Sequence, residues 1–273
     1  MKRIILILCL ALAGCEQKPD DSWLGYAEGE NAFIAAPQAG WVARVAVRRG
    51  DAVKTGDLLF TLDDTAQAAQ RDQADAAIAL AGAQRNEAEA NLALAEKELA
   101  RQANLMAAGA GTKQAYDVAK ANSDSAAAHV AQIDAQAAQA RANLSNAAYQ
   151  LSQRDVISRT TGRVEDVYFR TGEYAPAMTP VVSVLPPENI FVRFFVPETQ
   201  FARLKPGQRV AISCDGCAAG LTATVTFIAQ QQEFTPPVIF SLGSREKLVF
   251  KAEARASGGL KLNPGQPVTV RPL

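Results

Sequence analysis

The sequence of 273 residues carries 28 Lys and Arg against 28 Asp and Glu, with a single His. This balance gives no electrostatic basis for binding nucleic acid, and the length allows two or three compact units. No nucleophile with a neighbouring base, no paired carboxylates and no phosphate-binding loop stand out, so the sequence predicts a non-enzyme without catalytic residues, metal site or cofactor.

The N-terminus has the pattern of an export signal. Lys2 and Arg3 precede an apolar run that is too short for a comfortable transmembrane helix. The small residues before Cys15 resemble the lipobox of bacterial lipoproteins, in which cleavage precedes the cysteine and the thiol is acylated. We expect a lipoprotein signal peptide over 1–14, a lipid on Cys15 and an N-terminal anchor or membrane-proximal segment over 15–31. A plain signal peptide with a chance cysteine is the alternative.

Residues 32–63 predict half of a small β domain. Valines between Gly40, Gly50 and Gly56 indicate short strands that bend at fixed points. Gly50 with Asp51 is a signal for a tight turn between two such strands. An isolated two-stranded unit is marginal in water, so a partner half should lie elsewhere in the chain.

The segment 64–153 has the composition of long helices. It contains 32 alanines and three glycines, and proline is absent from 38 through 175. The one clear interruption is the stretch 107–112, where two glycines can adopt left-handed conformations and Thr112 can cap a new helix. The sequence therefore predicts two helices of about 40 residues, each roughly 60 Å long.

Both helices carry an apolar seam in alternating steps of three and four residues, the pattern of a coiled coil. In the second helix the seam comprises Tyr116, Ala119, Ser123, Ala126, Val130, Ile133, Ala137, Ala140, Leu144, Ala147 and Leu151. The weaker seam of the first helix comprises Ala74, Ile78, Ala81, Ala88, Leu92, Ala95, Leu99 and Met106, with Arg71 and Arg85 interrupting it. The short connection predicts an antiparallel pair. A globular bundle, the alternative, needs more large side chains than these faces supply.

The missing half of the β domain follows the hairpin, over 154–186. A shift of 122 residues aligns Gly40 with Gly162, Val42 with Val164, Val45 with Val167, Val47 with Phe169, Gly50 with Gly172, Asp51 with Glu173 and Leu59 with Val181. The match is imperfect, because Gly56 falls on Met178. Two glycines and an acid in register favour an internal repeat over chance.

The C-terminal third predicts an antiparallel β-barrel. Eleven of the thirteen prolines lie from Pro176 onward, among short apolar runs with regular turn signals. LKPGQRVAI at 204–212 is echoed by LNPGQPVTV at 262–270, and each Pro-Gly fits a turn that leads into a strand. We expect a barrel over 187–246, with 247–273 ending it and forming a small membrane-proximal unit with the residues after Cys15.

Two β halves packed together resemble the biotinyl/lipoyl domain, with a long hairpin in place of its lysine-bearing turn. The order of half-domain, hairpin, half-domain and barrel resembles the periplasmic adaptor, or membrane fusion protein, family (HlyD-like) of bacterial pumps. The resemblance implies an elongated α+β fold made of a split biotinyl/lipoyl-like domain with an inserted antiparallel coiled coil, a β-barrel and a membrane-proximal β unit. It also implies a periplasmic homo-hexamer, lipid-anchored at the inner membrane, that links an inner-membrane transporter to a TolC-like outer-membrane channel.

The hairpin tip carries a sharper resemblance. Adaptors that engage TolC-like channels resemble one another in an Arg, a Leu four residues later and a Ser seven beyond that, and here Arg101, Leu105 and Thr112 stand at those intervals. Arg101 and Leu105 share a helix face because they lie one turn apart. The resemblance implies that these three residues contact the channel, although threonine adds a methyl group to the serine hydroxyl.

Cys214 and Cys217 invite a metal or redox interpretation. A zinc ribbon needs a second ligand pair, and a thioredoxin-like motif needs a βαβ setting that this strand-rich region lacks. In an exported protein a disulfide or a structural pair is the favoured interpretation over a redox centre.

Two functions remain as alternatives to the adaptor. A coiled-coil envelope lipoprotein that acts as a spacer explains Cys15 and the hairpin, whereas a lipoyl or biotin carrier needs a lysine at the exposed turn, near which only Lys113 lies. The passage 233–239 is similar to stretches of adaptors for ABC-type exporters, which slightly favours an ABC-type over a proton-driven transporter.

Overall fold

The computed structural model describes residues 21–234 and 248–273. They fall into two compact units. The hairpin unit comprises Phe33–Arg159 and Asp166–Val182, and the barrel unit comprises the described residues up to Ala32, Thr160–Glu165 and the described residues from Ser183 onward.

Fourteen strands and two long helices follow one another in the described residues. In chain order they are β1 (Trp23–Gly29), β2 (Ala32–Ala35), β3 (Gly40–Val45), β4 (Ala52–Val53), β5 (Leu58–Leu62), α1 (Thr65–Ala107), α2 (Lys113–Ser152), β6 (Asp155–Ile157), β7 (Gly162–Val167), β8 (Tyr174–Ala175), β9 (Pro180–Leu185), β10 (Ile190–Pro197), β11 (Arg209–Ser213), β12 (Leu221–Phe234), β13 (Leu248–Arg255) and β14 (Pro267–Pro272). Short 3-10 turns span Pro187–Asn189 and Glu198–Arg203.

The barrel unit is built on a closed antiparallel barrel with the strand order β1-β10-β13-β12-β11-β14. Alternate side chains point inward, and Trp23 of β1 stacks on Phe194 of β10 with ring centroids 5.5 Å apart. The Trp23 Nε1 group donates to Gln200 Oε1 at 2.6 Å, so the buried indole keeps a polar partner. Closure removes open sheet edges, which would otherwise be free to pair with other chains.

The separate membrane-proximal unit expected over 247–273 is not formed by the described residues. Strands β13 and β14 belong to the barrel itself, as does β1 from the segment expected to be an anchor. Strand β1 pairs with β10 on one side and β14 on the other. The part of the expectation that ends the barrel with 247–273 and joins it to the residues after Cys15 agrees with the pairing of β14 and β1, which close the two edges that a sheet of β10 to β13 alone would leave unpaired.

The predicted turns of the C-terminal third are confirmed. Gly207 and Gly265 both adopt left-handed conformations, with φ of 81° and 84°. In each turn a glutamine side chain accepts from the backbone N–H three residues earlier at 3.1 Å, Gln208 from Lys205 and Gln266 from Asn263. The two echoes lead into β11 and β14, which are neighbours in the barrel.

The internal repeat is confirmed at the level of strands and sheets. Strands β6 to β9 follow β2 to β5 at the same 122-residue shift. One sheet has the order β2-β9-β7-β4 and the other β6-β5-β3-β8, so the shift converts one order into the other. Each sheet combines two strands from each half: β2 and β4 join β7 and β9, and β6 and β8 join β3 and β5. Neither half therefore contains a complete sheet of its own.

Equivalent hydrogen bonds join the two halves. Gly56 N donates to Ser158 O at 2.8 Å, and Met178 N donates to Ala36 O at 2.9 Å, an exchange that the repeat shift reproduces. Gly56 has a φ of 96°, and Met178, with a φ of 60°, is the one non-glycine with a positive φ among the described residues. At the mismatched position of the repeat, Met178 thus keeps the left-handed backbone conformation of Gly56 although it carries a side chain. This conformation costs a non-glycine residue about 1–2 kcal/mol.

The two helices form an antiparallel hairpin along the predicted seam. All eleven seam residues of α2 are buried or half-buried, and so are those of α1 except Met106. Met106 was predicted to be a seam residue, but it is exposed. It lies level with Lys113, the first residue of α2, so no seam residue of that helix stands opposite it. Arg85 interrupts the apolar seam of α1 but donates through Nε to Asp134 Oδ1 of α2 at 2.6 Å.

Candidate partner-binding site at the hairpin tip

The tip loop is held by backbone hydrogen bonds to the end of α1. Ala108 is the C-cap, and Gly109 follows in the left-handed conformation with a φ of 74°. The Leu105 carbonyl accepts from Ala110 N at 2.9 Å and from Gly111 N at 3.0 Å. These bonds satisfy the end of the helix and fix the path of the loop.

Gly111 is required for a different reason from Gly109. Its φ is not positive, but a Cβ at this position would lie 2.8 Å from Met106 N and 3.2 Å from Leu105 Cβ. The prediction of left-handed conformations at both glycines thus holds only for Gly109. Only a residue without a side chain allows the loop to pass so close to α1.

Thr112 caps the second helix, as predicted. Its backbone is extended and its Oγ1 accepts from Ala115 N at 3.2 Å, which satisfies one of the free N–H groups at the start of α2. The hydroxyl retains its own proton, which a partner acceptor can bind.

Arg101 is anchored on α1 and remains open to solvent. Its guanidinium lies 2.7 Å from the Glu98 carboxylate, and Gln102 Nε2 donates to the same carboxylate at 2.8 Å. The bond from Arg101, followed by the bond from Gln102, lowers the pKa of Glu98, and Glu98 in turn raises the pKa of Arg101. The Arg101 side chain is 67% exposed, so an anchored cation faces solvent at the tip.

Leu105 lies one turn beyond Arg101 on the same face and is 40% exposed. Met106, next to it, is exposed to a similar extent. The three predicted tip residues therefore follow one another along the chain at the turn. Arg101 provides a cation held by Glu98, Leu105 an exposed apolar side chain and Thr112 the hydroxyl that caps α2. This set of groups suits docking onto the end of another helical structure.

The sequence interpretation missed Glu98, which binds the guanidinium of Arg101, and Gln102, which donates to the Glu98 carboxylate. The spacing of Glu98 and Arg101 was a usable signal, because an acid and a base three residues apart face each other on a helix. Gln102 carried no signal of its own, since glutamines are frequent along the whole hairpin.

Cys214 and Cys217 form a disulfide in the turn between β11 and β12. Cys217 N donates to Cys214 O at 3.2 Å, and Gly216 adopts a left-handed conformation with a φ of 78°. Both sulfurs lie within 3.6 Å of Gln266 Nε2 and pack against the barrel core. The pair staples a barrel turn.

Several predictions fall outside the described residues: the signal peptide over 1–14, the lipid on Cys15 and most of the passage 233–239. In the part of the chain that the structure describes, neither helix is long and apolar enough to cross a membrane. The same residues contain no group of three His, Cys, Asp or Glu side chains placed to hold a metal ion.

Sequence comparison gives a partial relative. No protein-family model matches the sequence. A UPF0194 membrane protein of Acidithiobacillus ferridurans is 28% identical over 132 residues, which make up 48% of this chain and 39% of that protein. The matched region therefore spans about two fifths of the length of that relative.

Structural comparison gives matches over nearly the whole chain. MacA from Actinobacillus actinomycetemcomitans superposes with a TM-score of 0.72 over 92% of this chain and 78% of its own, at 19% identity. The membrane fusion protein Spr0693 from Streptococcus pneumoniae superposes with a TM-score of 0.57 over 92% of this chain and 98% of its own, also at 19% identity. The chain has the fold of a membrane fusion protein. In this membrane fusion fold a long helical hairpin is combined with several antiparallel sheets.

Proposed function

We propose that the chain is the periplasmic adaptor of a tripartite efflux or secretion pump, where it links an inner-membrane transporter to a TolC-like outer-membrane channel. The observation that carries the proposal is the hairpin tip, where Arg101, Leu105 and Thr112 are presented at the end of a membrane fusion fold. Two helices of 43 and 40 residues give a reach of roughly 60 Å at 1.5 Å per residue. A partner is engaged by the tip, and no chemistry is required of the chain.

We further propose that the two sheets of the repeat are a split biotinyl/lipoyl-like domain, with 32–63 and 154–186 as its halves. The two sheets, each built from two strands of either half, and the reciprocal bonds between the halves support this proposal. The hairpin then occupies the position of the lysine-bearing turn of a carrier domain. Six copies, a lipid on Cys15 and retention at the inner membrane complete the proposed assembly, and an ABC-type transporter is slightly favoured as its partner.

Export by cells provides the test of the tip. The double variant Arg101→Ala, Leu105→Asp should abolish export at wild-type protein level, because it removes both the cation and the apolar knob. Arg141→Ala, Tyr149→Asp is the matched control, since it removes an exposed cation and an exposed apolar side chain from the hairpin stem. Normal export by the tip variant, or equal loss in both variants, would contradict the proposed contact.

The carrier alternative rests on one observation, the presence of Lys113 as the first residue of α2. A biotin or lipoyl group on this lysine would add its mass to the mature protein. Intact-mass analysis without such an increment excludes the carrier. The spacer alternative predicts that deletion of the protein leaves drug or solute export intact, whereas the adaptor predicts that export is lost.

We also propose that Cys214 and Cys217 are bonded in the exported protein. A four-residue loop closed by a disulfide stabilises by about 2 kcal/mol in the chain-entropy model. Free thiols that titrate in the native, exported protein would overturn this assignment.

A further inference from the structure

A half-open groove of about 580 Å³ lies on the barrel unit, where β1, β14 and the end of β11 are neighbours. The strand register places Leu24, Thr269 and Ser213 in one row across the groove. The disulfide turn 214–217 and the turn 263–266 border it. A groove of this volume has the size of a binding site for a small organic molecule.

The strand side of the groove is largely apolar. Leu24 follows the buried Trp23, so its side chain points out of the barrel, and it is 45% exposed. Tyr26 and its cross-strand partner Pro267 extend this surface on the same face. A single exposed leucine needs no explanation, but here it lies in a groove beside an aromatic ring and a proline.

The opposite side of the groove carries a carboxylate. Among the described residues that line the groove, Asp215 is the one with a charge. Its carboxylate makes no hydrogen bond or ion pair with another described residue. The groove therefore combines an apolar surface with one uncompensated negative charge.

Comparison with related turns shows that the turn 214–217 does not use this carboxylate. Five other turns of the described chain have a left-handed glycine as their third residue, and the side chain of the fourth residue accepts from the backbone N–H of the first: 48–51, 54–57, 170–173, 205–208 and 263–266. In 214–217 the third residue is again a left-handed glycine, but a disulfide joins the first and the fourth. Asp215, as the second residue, takes no part in closing the turn.

The same contacts hold the carboxylate at the groove. The disulfide and the bond from Cys217 N to Cys214 O at 3.2 Å close the turn on either side of Asp215. Gln266 places its Nε2 within 3.6 Å of both sulfurs, while its Oε1 accepts from Asn263 N, so it connects the two turns that border the groove. A charge on a backbone that is already ordered binds a ligand without the cost of ordering that backbone.

We propose that this groove binds a small organic amine with an apolar body. The protonated amine donates to the Asp215 carboxylate, and the apolar body covers Leu24, Tyr26 and Pro267. Hydrogen bonds between two charged groups are the strong ones, and Asp215 gives up no bond within the protein to make this one. A neutral ligand leaves the carboxylate unpaired, and an anion is repelled by it. The site rests on the barrel geometry and not on the proposed export function.

Isothermal titration calorimetry of the full-length protein tests the site with two ligands that share one apolar body. 4-Phenylbutylamine is a cation at neutral pH, as a lysine side chain is, whereas 4-phenylbutanol is neutral. We expect the wild type to bind the amine about tenfold more tightly than the alcohol. Asp215→Asn should lower the affinity for the amine about tenfold and leave that for the alcohol unchanged.

Three further variants separate the charge from the apolar surface. Asp75→Asn, which makes the same change at an exposed position of α1, should bind both ligands as the wild type does. Leu24→Thr keeps a residue suited to a strand and should weaken the binding of both ligands by a similar factor, about threefold. Asp215→Lys should lose the amine and bind 4-phenylbutyrate, the anion with the same apolar body.

The outcomes decide the proposal directly. Equal affinity of the wild type for amine and alcohol, an unchanged amine affinity in Asp215→Asn, or an equal loss in Asp75→Asn would overturn it. Because the readout is binding to the purified chain, a failure of the proposed export function leaves the test unaffected.

Discussion

The tip loop gives a sharp prediction, because its two glycines are required for different reasons. At Gly111 an alanine Cβ would lie 2.8 Å from the backbone nitrogen of Met106, so the loop must move away from α1. Moving it weakens the bond from Gly111 N to the Leu105 carbonyl, and overpacking of this kind costs about 1–3 kcal/mol. At Gly109 the space is open, and alanine pays only for the left-handed backbone, a net cost of about 1 kcal/mol.

Asparagine separates the two effects. It tolerates the left-handed conformation, so Gly109→Asn should stay within about 0.5 kcal/mol of the wild type, whereas Gly111→Asn should lose as much as Gly111→Ala or more. Urea unfolding of the full chain, followed by the helical circular dichroism signal, reports on the hairpin because α1 and α2 are its long helices. Equal stability of the two asparagine variants would show that the close approach of Gly111 to α1 does not limit the loop.

Three further predictions concern the rest of the hairpin unit. Ile133→Ala should cost about 2–5 kcal/mol in the same urea assay, because the side chain is buried in the seam; a cost under about 0.5 kcal/mol would contradict the packing. Met178→Gly should leave the free energy of unfolding unchanged or raise it, because glycine adopts the left-handed conformation without strain. Gly56→Ala should lower the free energy of unfolding by about 1 kcal/mol. The opposite order, measured by thermal unfolding, would contradict the matched backbone conformations. An NMR titration should give Glu98 a pKa below the usual glutamate range. Its bond to Arg101 is then present at neutral pH and is lost as the pH falls through that lowered value. Arg101→Ala should move the pKa of Glu98 back up, and an unchanged pKa would refute the bond.

The hairpin and the repeat could be predicted from the sequence because their signals are local or periodic. Alanine content, the absence of proline and a three-four spacing fix a coiled coil without reference to the rest of the chain. The repeat was visible through glycines at turns, and even its mismatch at Met178 preserves the backbone conformation of Gly56. Periodicity did not reveal that the seam ends before Met106, because that depends on where the facing helix begins.

The barrel could be predicted only in part, because its closure depends on pairing between distant segments. Strand β1 binds β10 and β14, which lie far along the chain, and no local pattern specifies such partners. The site divides in the same way. Arg101, Leu105 and Thr112 were predicted from their resemblance to the motif of channel-binding adaptors, whereas the close approach of Gly111 to α1 depends on the path of the loop, which no local pattern specifies.

The proposed adaptor function requires that the hairpin tip contact an outer-membrane channel. A photo-crosslinking residue at Leu105, in cells that produce the protein at native level, would capture whatever lies against the tip, and mass spectrometry would identify it. We expect capture of a TolC-like channel. Capture of only other copies of the chain, or of nothing, by a folded and lipidated protein would contradict it and favour the envelope spacer.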